Sequence, residues 1–139
     1  MDASTVTYPM ALQLLSGPTD TRLLPAEFRY SADDPLAVTV VFDVGSESPV
    51  QWVFARDLLS TGLKRETGLG DVVVGPVEDA HGVPAVKISL SSPDGDALLL
   101  APAAHVDEFV AHTCRLVPPG TEGQLLDIDL ALGSLLDGA

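Results

Sequence analysis

Apolar residues recur at every second position over residues 4–15, where Val6, Tyr8, Met10, Leu12 and Leu14 alternate with a mixed opposite side. That period brings them to one face of an extended chain and predicts a strand with one buried side. Ser16-Gly17-Pro18-Thr19-Asp20 is a dense turn signal. Residues 21–30 alternate less cleanly, and Pro25, which has no N–H to give a ladder, predicts an edge position or a bulge. After the break at Ser31-Ala32-Asp33-Asp34-Pro35, residues 36–44 are rich in β-branched side chains, with Val38, Val40 and Phe42 on one side. The connections are too short for crossovers, so three successive antiparallel strands are expected.

Residues 50–54 predict a short strand with Trp52 and Phe54 on one face. The period then changes. Ala55, Leu58, Leu59 and Leu63 fall on one helical stripe, with Gly62 near its end as a terminator. Strands resume at residues 71–77, 84–90 and 96–101, and Ser92-Pro93-Asp94-Gly95 supplies a tight hairpin turn between the last two. Pro102 opens a second helix whose Val106, Phe109, Val110 and Thr113 share a face, and Pro118-Pro119-Gly120 ends it. Thr121 and Gln124 have capping-box spacing for a third helix reaching about residue 136. Without repeats or a long linker, residues 1–139 read as one α+β domain with about three helices.

Charge narrows the range of functions. Seven basic against 20 acidic residues give a formal charge of −13 spread along 139 residues. Such a field repels phosphate backbones and anionic membranes alike. The densest basic cluster, Arg56, Lys64 and Arg65, is flanked by Asp57, Glu66 and Asp71. Cys114 is the single cysteine, which leaves no intrachain disulfide and no thiolate metal cluster. The start Met1-Asp2-Ala3 carries no secretion pattern, and the most apolar stretch, residues 97–104, is far shorter than the ~20 residues a membrane helix needs. A protein of a reducing, cytoplasmic compartment is expected, with no integral membrane segment.

Candidate chemistry is sparse. His105, Glu108 and His112 share a side of the second helix, but the two histidines are about 10 Å apart along its axis, too far for one ion. A solvated face is the better reading. Cys114 and His112 are two apart on a helix and point to opposite sides, and His81 lies in a turn without an evident partner. Asp94-Gly95-Asp96 begins like a calcium loop, but Ala97 to Leu100 follow where oxygen ligands belong. Gly68-Leu69-Gly70 leads into a strand, the reverse of a dinucleotide fingerprint. Asp127 and Asp129 point to different sides of one helix. The expectation is no catalytic residues, no cofactor and no metal. The last helix offers more. Leu125, Ile128, Leu132, Leu135 and Leu136 form one stripe, while Leu126 and Leu130 lie on a second flank. That flank needs burial within the chain or an oligomer or partner interface.

The run Trp52-Val53-Phe54-Ala55-Arg56-Asp57-Leu58-Leu59, with Gly62-Leu63, resembles the SsgA-like proteins of sporulating actinomycetes. So do Leu24-Pro25-Ala26, Phe28, Tyr30, Asp34-Pro35, Thr67-Gly68, Gly70-Asp71-Val72, Leu90-Ser91-Ser92-Pro93, Ala101-Pro102 and Val117-Pro118-Pro119-Gly120-Thr121-Glu122. Glu66 stands where the family pattern has proline. The resemblance implies a strongly bent, barrel-like antiparallel sheet of whirly-like architecture and assembly as a trimer. It also implies a non-enzymatic adaptor in sporulation-specific division, which binds FtsZ, another septal protein or a paralogue at the cell septum. The whirly-like fold alone suggests an alternative, a single-stranded nucleic-acid binder, which the charge of −13 opposes.

Overall fold

The computed structural model describes residues 4–16, 20–43, 45–68, 70–93 and 95–121. Among these, seven strands and two helices follow one another as β1 (Thr5–Leu15), β2 (Thr21–Ser31), β3 (Ala37–Phe42), β4 (Val50–Ala55), α1 (Arg56–Gly62), β5 (Val72–Glu78), β6 (Pro84–Ser92), β7 (Gly95–Pro102) and α2 (Ala103–Leu116). The third helix expected at residues 121–136 lies outside the described residues, apart from Thr121. So do Leu126 and Leu130.

All pairings are antiparallel, in the order β4-β3-β2-β1-β7-β6-β5. Two meanders, β1–β4 and β5–β7, are joined where β1 meets β7. β1 pairs with β2 along its full length, from Thr5↔Ser31 to Leu15↔Thr21, but with β7 only from Gln13↔Leu100 to Leu15↔Leu98. Beyond Gln13 the two meanders part, and the sheet curls into a half-barrel with α2 packed against β1, β6 and β7.

The period-two residues face this hollow. Met10 and Leu12 of β1, Leu24, Ala26, Phe28 and Tyr30 of β2, and Val38, Val40 and Phe42 of β3 are buried. α2 answers with the expected face, Val106, Phe109, Val110 and Thr113. The Phe28 and Phe109 rings meet edge to face at 5.5 Å, a geometry that satisfies the ring quadrupoles while burying both side chains.

Two local expectations change. Pro25 sits in β2, between β1 and β3, not at an edge. Its carbonyl accepts from Asp43 N at 2.8 Å, so its nitrogen also faces β3, at the level just past the last pair, Ala26↔Phe42. There Asp43 takes φ 60° and the chain leaves the sheet, so the missing N–H removes no bond from the ladder proper. In α1 the buried stripe is Arg56, Leu59 and Gly62, whereas Ala55 is exposed and ends β4. Gly62 has no left-handed φ. It is small because a Cβ there would lie 2.3 Å from Val74 Cγ1 of β5.

The β5–β6 turn is tied by Asp79, whose Oδ1 accepts from His81 N at 2.8 Å and Val83 N at 3.0 Å. These backbone donors, Val83 first and then His81, hold the Asp79 carboxyl below its ordinary value. The bonds are stronger to the carboxylate than to the neutral acid. Their contribution is therefore present above the ordinary carboxylate value and is lost as pH falls through the lowered one. Amide exchange at His81 and Val83, corrected for intrinsic rates, is expected to quicken in that acid range. In Asp79→Ala it should be fast at every pH; equal protection in the two proteins would show that the turn holds without the carboxylate.

Candidate functional site

The most specific sequence run crosses the β4–α1 junction, and its centre is a buried charge. Arg56 is 3% exposed. Its backbone N–H donates to Leu36 O at 2.8 Å, and its Nη1 donates to Thr113 O at 3.1 Å and Val117 O at 2.8 Å. The guanidinium carbon lies 5.0 Å from the centre of the Tyr30 ring. A helix leaves its last carbonyls without partners and carries partial negative charge at that end. Arg56 satisfies both from a distant part of the chain, with an aromatic face beneath it. Tyr30 in turn donates to Pro35 O at 2.9 Å. The run thus locks α2, β2 and the β2–β3 turn to one point. Of the basic cluster Arg56, Lys64 and Arg65, only Lys64 and Arg65 are exposed.

A second cluster joins β1 to α2. Tyr8 Oη donates to Glu108 Oε2 at 2.9 Å and lies 2.9 Å from His105 Nδ1. A phenol has one proton; with that proton on Glu108, the His105 contact requires Nδ1–H as donor to the phenol oxygen. Glu108 Oε1 is 3.7 Å from His112 Nε2. The partly buried site, the Glu108 hydrogen bond and the Glu108 charge all raise the Tyr8 pKa, desolvation most. Raising a phenol away from neutrality is the opposite of what base or nucleophilic catalysis asks of it. No group suited to a metal ion occurs among the described residues. The cluster pins a solvent-facing helix side to the sheet.

The remaining candidates are not brought together. Cys114 is partly buried against the core. His81 engages Asp79 through its backbone. Gly68 and Gly70 take φ 111° and 82° on the way into β5. Asp94, Asp127 and Asp129 lie outside the described residues. A crevice of about 220 Å³ opens on the inner side of the half-barrel between the two meanders, with Leu14, Phe42, Val50, Trp52 and Leu99 in its lining and Arg22 and Asp43 beside them.

Comparison with known proteins bears on the same residues. The family model described as Streptomyces sporulation and cell division protein, SsgA, matches residues 24–122, which include the whole junction and both helices. The chain belongs to the SsgA family. The sporulation-specific cell division protein SsgB of Streptomyces coelicolor is 46% identical over 96% of each chain, and that of Thermobifida fusca 41% over 96% of each. A solved SsgB structure, reported with mutations that correlate to longitudinal cell division during sporulation of Streptomyces coelicolor, superimposes with TM-score 0.84. It is 47% identical and covers 88% of this chain and 95% of that one. The solved SsgA-like protein of Thermobifida fusca also gives 0.84, over 96% and 98%. These SsgA-family relatives are named as cell division proteins, not as enzymes. No helix among the described residues is long and apolar enough to cross a membrane.

Sequence reasoning missed two residues here. Tyr8 looks like any inward residue of a period-two strand, and its link to α2 spans a separation of about a hundred positions. Arg56 carried a usable signal, since it lies three and six positions before Leu59 and Gly62, at the spacing of a buried stripe.

Proposed function

We propose that the protein is a non-enzymatic adaptor of sporulation-specific cell division that acts in the cytoplasm at the septum, binding FtsZ or another septal protein, a paralogue included. The observation that carries this is the 46% identity to the Streptomyces coelicolor SsgB over 96% of both chains. The trimer and whirly-like architecture belong to this reading, as does a role for Leu126 and Leu130 in an interface between copies or with a partner. The charge supports protein rather than nucleic acid as the ligand. With Arg56 buried, six of the seven basic residues remain to face 20 acidic ones.

Co-sedimentation with polymers of the host FtsZ tests the adaptor role. The protein is expected in the pellet only when FtsZ polymerises, in an amount that saturates. Equal recovery with and without polymers would count against FtsZ as the partner. Tight, salt-sensitive binding to a single-stranded oligonucleotide would favour the alternative.

A further inference from the structure

The two outer strands of the sheet are treated differently. β5 is guarded. Its Val74 exchanges both backbone bonds with Thr67 at 2.8 and 2.9 Å, Gly75 packs on Glu66, and Pro76 interrupts the donors. Among the described residues β4 has no such protection. Its sequence, VQWVFA, holds no proline, lysine or other charge, and its register with β3 runs without a bulge from Ala37↔Ala55 to Phe42↔Val50. Natural sheets normally blunt an edge of that kind, because it is a template for another strand.

The register shows which groups are open. Arg56 N donates to Leu36 O, so positions 50, 52 and 54 turn their backbone groups toward β3, while Gln51 and Val53 turn theirs outward. Among the described residues no other segment pairs with that side of β4. Val53 is 55% exposed and Val50 51%. The surroundings are acidic at both ends: Asp33, Asp34 and Asp57 at one, Asp43 and Glu47 at the other. Arg22 lies beside Asp43 in the inner crevice, and Arg29 is paired with Glu27 at 3.5 Å on the outer face.

We propose that the free edge of β4 receives an extended segment of another protein as an added strand, one that alternates apolar and basic side chains. Backbone bonds to Gln51 and Val53 hold the segment. On the inner side its apolar residues meet Val50 and Trp52 at the mouth of the crevice. On the outer side its basic residues meet Asp34 in the groove that Gln51 shares with the Glu27–Arg29 pair, and the acidic ends of the edge beyond it. A second copy of this chain fits poorly, because antiparallel self-pairing about Val53 would set the acidic end of one edge against the acidic end of the other. The inference deepens the protein-binding reading above and rests on it, without requiring any particular division protein.

The test uses the full chain and a short alternating Lys–Val peptide, with an alternating Glu–Val peptide as control. Two further Lys–Val peptides are N-methylated on every other residue, one on the odd and one on the even positions. The Lys–Val peptide is expected to slow amide exchange at Gln51 and Val53 by about tenfold or more, and the Glu–Val peptide to leave it unchanged. One N-methylated peptide should bind and the other should not, since only one set of its amides faces β4. Val53→Pro removes an N–H that the β3 ladder does not use and should weaken binding about tenfold or more, as should Val53→Lys. The N-methyl comparison needs no variant and stands if either fails to fold. No binding of the Lys–Val peptide, equal binding of both methylated forms, or unchanged binding by folded variants would overturn the proposal. So would a lower solution mass for those variants, which would give the edge to a second copy. The peptide result is independent of FtsZ co-sedimentation, so failure of either is distinguishable from failure of the other.

Discussion

Arg56→Leu is expected to destabilise the fold by roughly 2–4 kcal/mol, although leucine matches the apolar stripe better than arginine does. The guanidinium is 3% exposed and donates to Thr113 O and Val117 O. Thr113 O keeps its bond from Val117 N, but Val117 O loses the Arg56 donor, and an orphaned buried carbonyl costs about 1–3 kcal/mol. Contact with the Tyr30 face and the packing of the arginine stem are lost as well. Leucine burial recovers only part of this. Arg56→Lys should fall between, because an ammonium can still donate to a carbonyl but lacks the flat guanidinium that lies on the Tyr30 ring while its Nη1 reaches both carbonyls. Arg65→Leu, at an exposed position, is expected to change stability by no more than about 0.5 kcal/mol. Urea unfolding with an unchanged slope reads all three. An Arg56→Leu midpoint equal to the parent's would show that the buried charge does not hold α2 in place.

Gly62→Ala should also destabilise, by about 1–3 kcal/mol, against the direction helix propensity predicts. Alanine in a helix interior is favoured over glycine by about 1 kcal/mol. Here the new Cβ would stand 2.3 Å from Val74 Cγ1, 2.9 Å from Val74 Cβ and 3.3 Å from the Val74 carbonyl carbon. Val74 is fully buried, is stiff at χ1 and is tied to Thr67 by two backbone bonds, so it cannot swing aside. α1 must lift from β5 instead. Gly62→Ala with Val74→Ala removes the severest contact, the one with Val74 Cγ1, and leaves the 2.9 Å approach to Val74 Cβ, so the double variant should be more stable than the sum of the two single losses by about 1 kcal/mol. Strict additivity would mean that the close approach is not where the cost arises.

These two residues also show where the sequence was legible. Strand and helix periods placed nearly every element within a residue or two, because a half-buried sheet and an amphipathic helix leave their spacing in the sequence. Arg56 and Gly62 broke that code. A charge at a core position reads as surface unless its partners are known, and those partners lie 57 and 61 positions away. A small residue near a helix end reads as a terminator, whereas Gly62 is small because a strand passes against it. Pro25 misled for a similar reason: its missing N–H matters only if a neighbour needs it, and β3 ends one position earlier. The short β1–β7 seam joins strands more than 80 positions apart, and local pattern carries no trace of it. The place of β4 at the end of the sheet among the described residues needed the strand order itself, since the sequence shows only that the strand has no guard residue.

The proposed role of this chain is septum placement by binding rather than by chemistry. The most direct measurement follows a functional fluorescent fusion beside a marked FtsZ in sporulating filaments of a host lacking the native copy. Regularly spaced foci are expected at future septa, formed before or together with the FtsZ ladders, with irregular ladders when the fusion is absent. A diffuse signal throughout sporulation, with FtsZ ladders of normal spacing whether or not the protein is present, would contradict that role.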